Sequence, residues 1–128
     1  GGAKSGQTRH IPLNGEAVAI LRGWWESTGE GTGLVFPGRD GARLDNINSA
    51  WAGVLKRADI TGFRFHDLRH TFASWLVIAG TDLYVVRDLL GHASIQQTER
   101  YAHLAPEVKA RAVAGLAAPG SGGQADAR

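Results

Sequence analysis

The sequence predicts a mostly α-helical domain with a small β element at its N-terminal edge. Three observations predict it. Apolar residues recur at spacings of three and four along most of the chain from Asn14 to Leu116. Glycines stop these periodic runs, and capping residues open several of them. One early stretch, Thr8 to Leu13, reads instead as a short strand ending at Pro12.

Taken in order, Lys4-Ser5-Gly6-Gln7 reads as a hairpin turn leading into that strand, whose partner would lie upstream of Gly1. Asn14 suits the cap of a helix running to about Glu26, with Ala17, Ile20, Leu21 and Trp24 on its inner face. The glycine-rich stretch from Thr28 to Gly33 ends it, and Leu34-Val35-Phe36 is an extended apolar piece before a Pro37-Gly38 turn. Asp45 is the expected cap of a second helix carrying Ile47, Trp51, Val54, Leu55 and Ala58. A third helix is expected from about His66 to Ala79, with Leu68, Phe72, Trp75 and Leu76 inward and Gly80 as its stop. Thr81 begins a fourth with Leu83, Val86, Leu89 and Leu90, stopped by Gly91. Ser94 and Gln97 have capping-box spacing for a short fifth helix reaching about Tyr101. Pro106 suits the first position of a sixth, with Val108, Ala112, Val113 and Leu116 on one face. Residues 1–116 make one domain's worth of chain, and residues 117–128, ending PGSGGQADAR, read as a disordered tail.

Composition narrows the function without choosing it. The chain has 128 residues, 43% of them hydrophobic and 20% charged, enough to bury a core. No run approaches the ~18 apolar residues of a spanning helix, so no membrane partner is expected and a cytoplasmic location is the default. The absence of Cys excludes disulfides and thiolate metal sites. A formal net charge of +2, with Arg outnumbering Lys 11 to 3, permits a nucleic-acid partner without requiring one. A GC-rich genome would also favour Arg. The chain has no Met and opens Gly1-Gly2-Ala3, which suggests a piece excised from a longer protein.

Chemistry concentrates in RFHDLRH, Arg64 to His70. His66, Arg69 and His70 fall at helical spacings that place them near one face. A solvated polar stripe is the plain alternative. A zinc site built from His66, His70 and His92 is another, although Asp67 stands where a zinc-protease helix carries Glu. Gly91 leaves His92 projecting from a helix end, and Tyr101 follows nine residues later in ERYAH. With Lys4, these supply a phenol, imidazoles, a guanidinium and an ammonium. Such a set suits a phosphoryl group stabilised without a metal or other cofactor.

RFHDLRHTFASWLVIAG followed by VVRDLLGHASIQQTERYAHL resembles the catalytic signature of the tyrosine recombinases, the phage integrase family. Its HxxR box matches His66 and Arg69, its GH box Gly91-His92, and its tyrosine Tyr101. KSGQTRHIPL resembles the family's β-hairpin, placing its lysine at Lys4, nine residues before Leu13. The resemblance runs from Lys4 to about Leu116.

The resemblance implies the C-terminal part of a DNA breaking-rejoining catalytic core acting on double-stranded DNA. Tyr101 would attack the scissile phosphate and form a 3′-phosphotyrosyl link. A free phenol, with a pKa of ~10, is only on the order of 0.1% ionised at pH 7, so a neighbour must take its proton or stabilise its anion. His66 is the implied general acid/base, Arg69 the clamp on non-bridging oxygens, His92 a further donor to the phosphate, and Lys4 the acid for the leaving 5′ oxygen. His70 and Arg64 are candidate phosphate contacts. The helix at Pro106 resembles the element the family exchanges between protomers, which implies a homo-oligomer on DNA. The family also carries an arginine well upstream of the hairpin lysine. Arg9 and Arg22 lie downstream of Lys4 and do not supply it. The expectation is a recombinase whose 128-residue piece binds DNA weakly and cleaves poorly alone. A non-catalytic DNA-binding module of the same fold is the alternative.

Overall fold

A computed structural model describes residues 8–29, 33–118 and 120. The chain divides into two compact units, Gly1–Phe65 and His66–Arg128.

In the first unit, α1 spans Gly15–Thr28 and is capped as expected, the Asn14 side chain accepting from the Ala17 amide at 2.9 Å. Gly29 takes a left-handed conformation just past its end. Ala17 and Leu21 are half-buried, while Ile20 is turned to solvent. Trp24 lies over Phe36 and its indole N–H donates to the Val35 carbonyl at 2.7 Å. The extended piece therefore serves as a shelf for α1. Pro37 and Arg43 form an antiparallel bridge around a tight turn, closed by the Gly38 amide donating to Ala42 at 2.8 Å. Helix α2 spans Asn48–Ala58, with Ile47, Trp51 and Leu55 half-buried at helical spacing. The Trp51 ring meets both Phe63 and Phe65.

Among the described residues no backbone pairs with residues 8–13, whose expected partner lies upstream of Gly1. One expectation for this unit is corrected. The second helix starts at Asn48 rather than behind an Asp45 cap, because Asn46 accepts from the Asn48 amide at 3.1 Å instead.

The second unit holds the core. Helices α3 (Asp67–Ile78) and α4 (Leu83–Leu90) pack together, followed by a single turn, α5 (Gln96–Glu99), and a 3₁₀ turn at Ala102–Leu104. Ala73, Val77, Val86, Leu90 and Tyr101 are buried as one cluster, with Leu76, Leu83 and Leu104 against it. The inner face expected for α4 is the one observed. That of α3 is only in part: Leu76 lies against the cluster, but Trp75 is 72% exposed, and Leu68 and Phe72 are also exposed. Helix α3 is apolar on two sides, and bulk alone does not choose between them. The buried side carries small Ala73, which lets α4 and the Tyr101 ring approach closely. Gly80, at φ +89°, and Gly91, at φ +69°, end the two helices in left-handed conformations.

Three boundaries also shift. Asp82, not Thr81, caps α4, accepting from the Tyr84 amide at 2.8 Å. Helix α5 has no side-chain cap, so Ser94 and Gln97 form no capping box. Helix α6 spans Lys109–Ala114, three residues beyond Pro106, with Glu107 accepting from the Lys109 amide at 2.9 Å. No helix among the described residues is long and apolar enough to cross a membrane.

Candidate active site

The buried side of α3 continues toward its N-terminus as His66, Arg69 and His70. Counted from His66, the positions +3, +4, +7 and +11 are Arg69, His70, Ala73 and Val77. One helix face therefore has an apolar half in the core and a polar half at its start.

Two polar residues of that half are tied to later elements, Arg69 to the end of α4 and His70 to the turn after α5. Arg69 donates from its guanidinium to the carbonyl of Leu90. That carbonyl is one of those left without an intrahelical partner at the end of α4, and a cation is well placed there. The contact fixes Arg69 while leaving further N–H donors on its fork. His66 is exposed, its ring edge-on to that of His70 with centroids 5.3 Å apart. His70 Nδ1 lies 2.6 Å from the Tyr101 hydroxyl oxygen. Tyr101 is only 7% exposed and its ring belongs to the core cluster.

Gly91 makes the remaining connection. Its left-handed backbone lets the His92 amide donate back to Arg87 at 3.1 Å, closing α4 and turning the chain toward Thr98. His92 Nδ1 then sits 2.8 Å from Oγ1 of fully buried Thr98. Burial, followed by the positive charges of Arg69 and Arg100, holds the His92 imidazole below its ordinary pKa. A neutral imidazole with Nδ1 facing a hydroxyl leaves Nε2 as the nitrogen for another partner.

The structure thus brings His66, Arg69, His92 and Tyr101 into one connected set within the second unit. Lys4 lies outside the described residues. Arg64 belongs to the first unit and is exposed. His70, expected only as a phosphate contact, has one ring nitrogen engaged by Tyr101. Among the described residues no three His, Asp or Glu side chains are grouped as metal ligands, His66, His70 and His92 included. Thr98 and the Leu90 carbonyl were not singled out from the sequence. Thr98 looks like any exposed threonine in QQTER, and a backbone carbonyl has no sequence signal at all.

A helical unit gathering a phenol, imidazoles and a guanidinium at one end has the donors that grip phosphoryl oxygens and a nucleophile beside them. Comparison with known proteins points the same way. The sequence matches the model described as "Phage integrase family" over residues 2–107. It is 41% identical over 115 residues to the integrase of Salmonella phage P22, covering 81% of this chain and 30% of that protein. It is 37% identical over 107 residues to the tyrosine recombinase XerC of Xanthomonas campestris pv. campestris strain B100, covering 79% of this chain and 33% of that protein. The catalytic domain of bacteriophage HP1 integrase matches in structure with a TM-score of 0.56 and 29% identity, over 82% of this chain and 55% of that one. The chain belongs to the phage integrase family. It spans about a third of the length of these curated relatives.

Proposed function

We propose that the protein carrying this chain performs site-specific DNA recombination, cutting and rejoining strands through a 3′-phosphotyrosyl intermediate on Tyr101. The observation that carries the reading is the set itself: His66 meets Tyr101 through His70, Tyr101 and His92 share Thr98 through the Tyr101 amide and the His92 ring, and the charge of Arg69, held at the Leu90 carbonyl, acts on His92. Residues 1–116 would form the later part of the catalytic domain.

The step balances without an external energy source. The Tyr101 oxygen bonds to phosphorus as the bond to the 5′ oxygen breaks, and the phenol gives up one proton while the departing oxygen gains one. The phosphodiester is exchanged for another, so the bond energy is retained for religation. Arg69 would hold two non-bridging oxygens with the donors its Leu90 contact leaves over. His92, kept neutral, would donate from Nε2 to the same phosphate. His66, as the exposed imidazole, would serve on the DNA side as acid or base, and Lys4 would protonate the leaving 5′ oxygen. On DNA the protein would act as a homo-oligomer, with α6 docking on a neighbour or in cis. Sedimentation across a concentration series separates these, a strict monomer at high concentration arguing against exchange.

Trapping on a nicked suicide duplex tests the reading, with full-length protein because the chain covers only part of its relatives. Wild type should form a covalent protein–DNA adduct and Tyr101→Phe none. Salt-sensitive DNA binding without adduct by either protein would instead support the non-catalytic module.

A further inference from the structure

The contact between His70 and Tyr101 has a direction that the rest of the site determines. A buried hydroxyl must place its proton on an acceptor. Among the described residues the hydrogen-bond partner of the Tyr101 hydroxyl is His70 Nδ1, at 2.6 Å. If Nδ1 carried the hydrogen it would donate to the phenol oxygen, and the phenol proton would be left without an acceptor among the described residues. Nδ1 is therefore the acceptor, and the proton of the imidazole sits on Nε2. The two side chains come from α3 and from the turn following α5, thirty-one residues apart; the Tyr101 ring belongs to the apolar cluster, and His70 lies on α3 three residues before Ala73 of that cluster. The neighbouring titratable groups on α3 are Arg69, next in sequence, and His66, one turn before with its ring edge-on.

We propose that His70 is the base of the cleavage step, accepting the phenolic proton at Nδ1 as Tyr101 attacks phosphorus. The inference rests on Tyr101 being the nucleophile. As the oxygen–phosphorus bond forms, the phenolic O–H bond breaks and its electron pair stays on oxygen. Nδ1 gains the proton and His70 becomes an imidazolium. The proton returns when the tyrosyl ester is resolved, so no co-reactant is consumed. His66 is thereby released from the nucleophile and remains available to the DNA. Both tasks need an imidazole, and the helical spacing of four supplies two on one face.

The test uses His70→Gln, whose side-chain oxygen still accepts a hydrogen bond but takes no proton. In single-turnover cleavage of a suicide duplex by full-length protein, the variant should form adduct about 100-fold more slowly or worse, whereas a rate within about threefold of wild type would overturn the proposal. A duplex with sulfur in place of the scissile 5′ oxygen needs no leaving-group acid. The His70→Gln defect should persist on it; restoration of the rate would place His70 at the leaving group and overturn the proposal. Nitrogen chemical shifts of ¹⁵N-labelled protein read the tautomer directly. Nδ1 should be proton-free and Nε2 protonated, and a protonated Nδ1 in the neutral ring would overturn it. Absence of adduct from both wild type and Tyr101→Phe would remove the nucleophile assignment, with the tautomer measurement still deciding the hydrogen bond. Normal cleavage by His70→Gln beside an active wild type would remove the role of His70 alone.

Discussion

His92 Nδ1 and Thr98 Oγ1 lie 2.8 Å apart, and Thr98 is completely buried. A buried hydroxyl facing an imidazole fixes both the ring's orientation and which nitrogen it turns outward. Thr98→Val keeps the shape and removes the hydroxyl. It should lower stability by about 1 kcal/mol and, by loosening His92, slow cleavage by as much as about 100-fold. Urea unfolding and single-turnover cleavage measure the two effects. A variant matching wild type in both would leave the contact without consequence.

The lowered pKa of His92 makes stability depend on pH with a defined sign. Burial and the charges of Arg69 and Arg100 disfavour protonation in the folded chain, whereas the unfolded chain protonates at the ordinary histidine value of 6.5. Below 6.5 the unfolded state binds more protons, so the contribution of His92 is fully present above that pH. It declines as the pH falls toward the folded value. Melting temperatures measured from pH 7 downward should fall, and His92→Gln should flatten the fall. An identical slope in the variant would assign the loss to other groups.

Gly91 is required at its position by backbone geometry. Its φ of +69° is left-handed, and both its own amide and that of His92 close the end of α4. Gly91→Ala should cost about 1–2 kcal/mol, read by denaturant unfolding. The cost should be matched by a cleavage defect, since the same turn delivers His92.

The two sides of α3 predict opposite responses to truncation. Val77 is fully buried, so Val77→Ala should cost about 2 kcal/mol from lost burial and a residual cavity. Trp75 is 72% exposed, and Trp75→Ala in this chain should cost no more than about 0.5 kcal/mol. Chemical denaturation of the two variants compares them directly, and a larger loss at Trp75 would reverse the assignment of the core face.

Much of this was legible in the sequence. The helix order, the Asn14 cap, the inner face of α4 and the Gly91 stop follow from local periodicity and turn chemistry, which act over a few residues. The signature residues His66, Arg69, His92 and Tyr101 were visible through their spacing. The choice of face on α3 was not, because Leu68, Phe72 and Trp75 form a bulkier stripe than Ala73 and Val77. Only the approach of α4 and Tyr101 decides between them. The strand expected at residues 8–13 has no pairing segment among the described residues, because a strand is defined by its partner and the one expected lies upstream of Gly1. The links His70–Tyr101 and His92–Thr98 join residues that meet only after the chain has turned back.

The nucleophile proposed for the reaction is a buried tyrosine, Tyr101. The chain has two tyrosines, and accessibility alone would favour the other: Tyr84 is 57% exposed and Tyr101 is 7% exposed. The most direct test is peptide mapping by mass spectrometry of the protein–DNA adduct trapped on a suicide duplex. The 3′-phosphate should be found on the peptide containing Tyr101. An adduct on Tyr84, or on any other side chain, would contradict it.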